Sequence, residues 1–215
     1  MQTINNNFNN PWPQNWGKCT CIMGILNVTP DSFSDGGDFL SINNAIKRTR
    51  EFISEGVDII DIGAQSTRPG AIEVGSSIEL KRLIPVLREL KSIFPNQLFS
   101  VDTFNSDVAH EALSHGAHWV NDVTGGRRDI KILDVVSEFN CPFVITHSRG
   151  NSQNMNFLLD YKNLTNDIIS NLKELTDKAL KKKINEKNII WDPGLGFSKN
   201  TEQNITILKN IEKFK

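Results

Sequence analysis

No stretch of this chain approaches the roughly 20 apolar residues that a membrane-crossing helix needs, so no span is expected. No charged-then-apolar leader opens it, which makes the cytoplasm the expected compartment. Neither sign of charge dominates: 24 basic residues against 25 acidic leave a net charge of −1. Without a basic excess, neither nucleic acid nor a membrane surface is an expected partner. The run Lys181, Lys182, Lys183 reads as a solvated helix face. Cysteine is scarce. Cys19, Cys21 and Cys141 are an odd set in a chain without a secretory pattern, which argues against a disulfide framework. Cys19 and Cys21 lie two apart, but no second pair completes a metal site, so reduced, packed thiols are expected. Nucleotide-binding signatures are missing too, with neither a P-loop nor G-x-G-x-x-G. Nor is there an internal repeat or an interdomain linker.

What is present is an alternation. Residues 1–17, rich in Asn, Pro and Gln and carrying Trp12 and Trp16, read as a polar tail draped over the domain formed by 18–215. Apolar runs at 21–26, 57–62, 98–101, 119–120, 143–146 and 189–191 read as buried strands. Amphipathic segments separate them. Ser41 is expected to cap the first helix and Gly56 to close it. Ser76 with Glu79 has capping-box spacing for a helix to about Phe94, and Pro85 inside it predicts a kink or a break. Further helices are expected over 106–116, 130–139, 160–184 and 202–214.

Six strands each followed by a helix imply a parallel sheet, either doubly wound or closed as a (β/α)8 barrel. The strand ends favour the barrel. In order they carry Asn27, Asp61, Asp102, Asn121 with Asp122, His147 and Asp192. A doubly wound sheet needs ligand groups only beside its switch point, whereas all strand ends of a barrel converge on one mouth. A mouth lined by carboxylates and amides suits a ligand rich in N–H donors, such as a flat heterocycle with an amino group beside a ring N–H. The loops NVTPDSFSDGG and AQSTRPGA mix Gly, Ser, Thr and Asp, and the second adds Arg68, which suits an anion such as a diphosphate. For each loop alone, the reading that Pro and Gly only shape turns stays open.

Six segments, in order, carry a resemblance: MGILNVTPDSFSDGG (23–37), DIGAQSTRPGA (61–71), SVDTF (100–104), WVNDVTGG (119–126), THSRG (146–150) and DPGLGFSKN (192–200). Together they resemble dihydropteroate synthase, the pterin-binding enzyme family of folate biosynthesis, from about Cys21 to the last residue. That resemblance implies a (β/α)8 TIM barrel. It also implies a transferase that condenses 6-hydroxymethyl-7,8-dihydropterin diphosphate with p-aminobenzoate, giving 7,8-dihydropteroate and diphosphate. Carried over, Asp102, Asn121 and Asp192 hold the pterin. Thr67 and Arg68 contact diphosphate and shape the p-aminobenzoate pocket, and Asp31, Ser32 and Phe33 close over the substrates. Phe197 lines the p-aminobenzoate site, and Asn27 helps to bind magnesium and diphosphate. Asp102 and Arg68 are the implied catalytic residues. A homodimer is left open. His147 is read either as shaping the mouth or as approaching the leaving group, and His110, His115 and His118 as structural.

Two departures stand against the family pattern. Gln65 replaces a glutamate, keeping shape and losing a charge. The Ser-Arg-Lys and Arg-x-His segments that end strands seven and eight are not found, so about six of eight β/α units are expected here, with strands one and six as exposed edges. Poor stability and weak activity of this chain alone are the expectation. The alternatives are a non-catalytic pterin-binding remnant and a methyltetrahydrofolate methyltransferase, against which NVTPDSFSDGG and STRPG argue.

Overall fold

A computed structural model describes residues 10–29, 37–66 and 70–214, and of 37–41 the backbone alone. Six strands alternate with six helices: β1 Met23–Asn27, α1 Gly37–Ser54, β2 Ile59–Gly63, α2 Ser76–Ile93, β3 Leu98–Asp102 and α3 Ser106–Ser114, then β4 Trp119–Asp122, α4 Ile132–Phe139, β5 Phe143–Thr146, α5 Leu164–Lys181, β6 Ile189–Asp192 and α6 Thr201–Lys209. The strands are parallel, and their order in the sheet is β1-β2-β3-β4-β5-β6. That order settles the architecture. A doubly wound sheet reverses direction at its switch point. A sequence of right-handed crossovers that never reverses puts every helix on one face and curls the sheet into barrel form.

The two faces bury different things. Ile60, Ile62, Phe99, Val101, Phe143 and Ile145 point outward and are buried against helix residues such as Leu83, Leu87, Leu133 and Leu172. Alternate residues point inward. At the start of the strands Ile59, Trp119 and Val144 form a separate buried cluster, packed by Met23, Leu98, Ile190 and Trp12. Pro11, Trp12 and Trp16 are therefore part of the fold. Trp12 stacks edge-on to Trp119 with ring centroids 5.1 Å apart, and Trp16 lies 4.7 Å from Trp12. The Trp119 indole N–H donates to the Pro11 carbonyl at 2.6 Å. These contacts plug the end of the barrel opposite the loops that follow the strands.

At the other margin the inner face is uncovered. Ile25, which shares the inward side of β1 with Met23 and Asn27, is 66% exposed, and no residue of β6 is fully buried. β1 and β6 stand at the two ends of the strand order, as expected of edges.

Several local expectations change. Helix α1 already begins at Gly37, so Ser41 lies within it rather than at its cap; serine is tolerated inside a helix that packing supports. Its other end is as read: Gly56 adopts φ 85°, and the N–H groups of Gly56 and Val57 return to the Ile53 and Phe52 carbonyls in a Schellman closure. Helix α2 has Gly75 at its cap and no side-chain cap bond. Glu79 turns inward instead and accepts from the Asn105 side chain at 2.6 Å, so a tertiary partner outcompetes the local box. Pro85 does not break α2, because it lies on the exposed side, where water can satisfy the carbonyl it leaves unbonded. Of the thiols expected to be packed, Cys141 is buried, but Cys19 is exposed and Cys21 only half-buried, because both precede the sheet.

Replacing Trp12 with alanine is expected to cost about 2 kcal/mol, roughly half the loss for a fully buried tryptophan. Urea denaturation reads this directly. An unchanged midpoint would mean that the plug contributes nothing to stability.

Candidate active site

The mouth is built by register. Asn27, Gly63, Asp102 and Asn121 are consecutive ladder partners across β1 to β4, so their positions fall on one rung. Gly63 keeps that rung hollow. A Cβ there would lie 3.2 Å from Asn27 Oδ1 and 3.3 Å from Asp102 Oδ2. The amide oxygen and the carboxylate thus flank a gap that any larger residue would fill.

Asp61 does not end its strand. β2 continues to Gly63, so Asp61 lies one inward position deeper, beneath the rung. There it is buried, and its Oδ2 accepts from Asn121 Nδ2 at 2.8 Å. Burial raises its pKa, and the nearby Ser100 and Asn121 side chains partly offset this. Asp102 is pushed up further, well above the usual carboxylate range, first by burial and then by the charges of Asp61, Glu79 and Asp122. Among the described residues, no lysine or arginine forms an ion pair with Asp102. Asp122 faces away and is answered by its own loop: Oδ1 accepts from the Thr124 N–H and hydroxyl, and Oδ2 from the Gly126 N–H at 2.6 Å.

Asp192 ends β6, with Thr146 of β5 as its ladder partner. Its Oδ1 accepts from the Gly194 N–H at 2.7 Å. Gly194 is obligatory: it sits at φ 71°, and a Cβ would come within 2.0 Å of the His147 carbonyl. Two further residues of the same loop, unassigned from sequence, hold it. Lys199 is buried and donates to the carbonyls of Gly194 and Phe197, each at 2.8 Å, while its Nζ lies 3.0 Å from His147 Nδ1. Ser198, at φ 51°, donates to the Arg149 carbonyl at 2.7 Å and accepts from the Arg149 N–H. Burial brings the Lys199 pKa down to about 7, against the opposing pull of Asp192. His147 is lowered to about 3 by burial and by Lys199, Arg127 and Arg149, so it is a neutral member of this clamp.

Phe197 lines a cavity of about 350 Å³ beside the carboxylate rung, together with Ser66, Phe104, Met155, Arg127, Arg128 and Arg149. Arg127 is held in place by Ser148 and Asn171. The structure therefore brings Asn27, Asp102 and Asn121 together, sets Asp192 two strands further on, and puts Phe197 in a neighbouring cavity. Asp31, Ser32, Phe33, Thr67 and Arg68 lie outside the described residues. Gln65 keeps the acceptor function that its shape implies, taking the Val74 N–H at 2.9 Å. For magnesium, the described residues gather no group of three or more His, Cys, Asp and Glu. Asn27 Oδ1, beside the hollow over Gly63, would offer such an ion a single oxygen, which suits one held mainly by phosphate oxygens and water.

The family described as pterin binding enzyme matches residues 23–215. The mitochondrial folate synthesis bifunctional protein of Pisum sativum is 48% identical over 91% of this chain and 39% of its own length. The dihydropteroate synthase of Clostridium beijerinckii is 42% identical over 94% of this chain and 72% of its own. Among solved structures, a dihydropteroate synthase from Clostridium difficile, crystallised in the presence of pteroic acid, superposes with a TM-score of 0.85 at 41% identity, covering 92% of this chain and 72% of that one. The chain thus spans about two fifths of the plant relative and seven tenths of the bacterial ones.

The buried His147 makes stability pH-dependent. Its folded pKa of about 3 lies below the ordinary 6.5. Between those values the unfolded chain takes up a proton that the folded one refuses, so stability falls as pH falls, by about 1.4 kcal/mol per unit from this group. His147→Gln is expected to flatten the slope of unfolding free energy between pH 6 and pH 4. Equal slopes in the two proteins would show that the histidine is already charged when folded.

Proposed function

This chain belongs to the pterin binding enzyme family, and on that premise we propose that it acts as a dihydropteroate synthase, joining 6-hydroxymethyl-7,8-dihydropterin diphosphate to p-aminobenzoate. The observation that carries this reading is Asp102 on the rung, with Asp61 beneath it and Asn121 beside it. Asp102 is a half-buried carboxylate with other carboxylates close by, and such a group gains most from a ligand that brings N–H donors in a plane. The amino-pyrimidine edge of a pterin brings them, to Asp102 and Asn121 on one side and Asp192 on the other.

In the reaction the C–O bond to diphosphate breaks, the aromatic amine forms a C–N bond at the same methylene, and the amine gives up a proton. Positive charge develops on the pterin as diphosphate departs, and an ionised Asp102 beside the ring stabilises it. Asn27 would hold magnesium, which when bound neutralises the leaving diphosphate. Phe197 walls the aromatic amine, and the clamp of Lys199 and Ser198 fixes the loop that carries it. Arg68 and Thr67 act on diphosphate, while Asp31, Ser32 and Phe33 exclude water in the closed state.

The exposed Ile25 on the inner face favours a second reading, pterin binding without turnover, because water has access to the interior there. The purified chain, given both substrates and magnesium, is expected to form dihydropteroate. Asp192→Ala should abolish product, and Asp102→Asn should slow it by about 10²-fold or more. Pterin binding with no product from the unaltered chain would establish the second reading instead.

A further inference from the structure

A carboxamide offers a ligand either an acceptor or a donor, and the group behind it decides which. Behind Asn121 stands Asp61. The Asn121 Nδ2 donates to Asp61 Oδ2 at 2.8 Å, which turns Oδ1 towards the mouth. Asp61 is poorly placed to meet a ligand itself, being 3% exposed and two residues short of the end of β2. Its Oδ1 and the Ser100 Oγ are both buried and make no well-formed hydrogen bond, although the Ser100 side chain is near enough to favour the ionised form of Asp61. A buried carboxylate with an unused oxygen is a liability for the fold. Its one well-made bond is the one that holds the amide above it.

We propose that Asp61 is a positioning residue that locks Asn121 with its carbonyl oxygen facing the ligand, so that the pocket accepts an amino-bearing ring edge and rejects an oxo-bearing one. This rests on the pterin reading given above. Hydrogen bonds from neighbouring residues hold binding groups to the tight tolerance that selectivity needs. A freed Asn121 would rotate to suit either edge, and discrimination would fall.

The test is equilibrium binding of 6-hydroxymethylpterin and of its 2-oxo counterpart, 6-hydroxymethyllumazine, to the full chain. The unaltered protein is expected to prefer the pterin. Asp61→Leu should weaken pterin binding by about tenfold and erase most of that preference. Asp61→Asn should stay within about threefold of the unaltered protein, because its amide can donate to the unused Ser100 Oγ while its oxygen still accepts from Asn121. In an Asn121→Leu background, Asp61→Leu should change pterin affinity by less than about twofold, since nothing is left to position. Should Asp61→Leu fail to fold, Asp61→Ser, too short to reach Asn121, replaces it. Unaltered affinity and preference in the Asp61 variants overturn the proposal. So do equal losses with and without Asn121, or a loss in Asp61→Asn as large as in Asp61→Leu. Failure of the unaltered chain to bind the pterin overturns the functional reading, and this proposal with it.

Discussion

A carboxylate taken out of water must be met by donors or by opposite charge, and the mouth of this protein is organised by how unevenly that demand is met. Asp122 is satisfied by the backbone and hydroxyl of its own loop. One oxygen of Glu79 is satisfied by Asn105, and one of Asp61 by Asn121. Each satisfied acid stiffens a loop or a side chain. Asp102 is the one whose surroundings raise its pKa furthest while offering it no ion pair among the described residues. The rigid members define a frame, and the unmet one marks where a donor-rich ring gains most. Parallel register makes this possible, because it delivers the ends of neighbouring strands to one level.

Much of this was legible in the sequence. The alternation of apolar runs and amphipathic segments located all six strands and helices, and polar residues at the strand ends separated a barrel from a doubly wound sheet. The misses share a cause. Glu79 looked like half of a capping box, and Asp61 like the last residue of its strand. Both readings rest on local spacing, while each residue is committed to a partner 26 or 60 positions away. Lys199 and Ser198 stood in plain view inside DPGLGFSKN, but their role depends also on His147 and Arg149 of another loop, which no spacing reveals. Trp12 had the same difficulty: within a polar tail, nothing local announces a partner in β4.

Charge is also sorted by position. The rung inside the mouth is acidic and amidic, whereas the cavity beside it is rimmed by Arg127, Arg128 and Arg149. Each guanidinium is tethered, Arg128 to Glu73, Arg127 to Ser148, and Arg149 to the Asp160 carbonyl with its plane over Tyr161. Two neighbouring zones of opposite polarity would suit a molecule with a donor-rich ring at one end and an anionic group at the other.

The tryptophan plug bears on the order in which the protein assembles. The bond from Trp119 to Pro11 joins residues 108 positions apart. Closing so long a loop is entropically costly and slow compared with pairing adjacent β/α units. During synthesis Pro11 and Trp12 emerge long before Trp119 exists, so they must wait for β4 before they can be seated. Pro11 and Trp12 are thus made before β4 but seated after it, and the seal they form registers that β4 is in place.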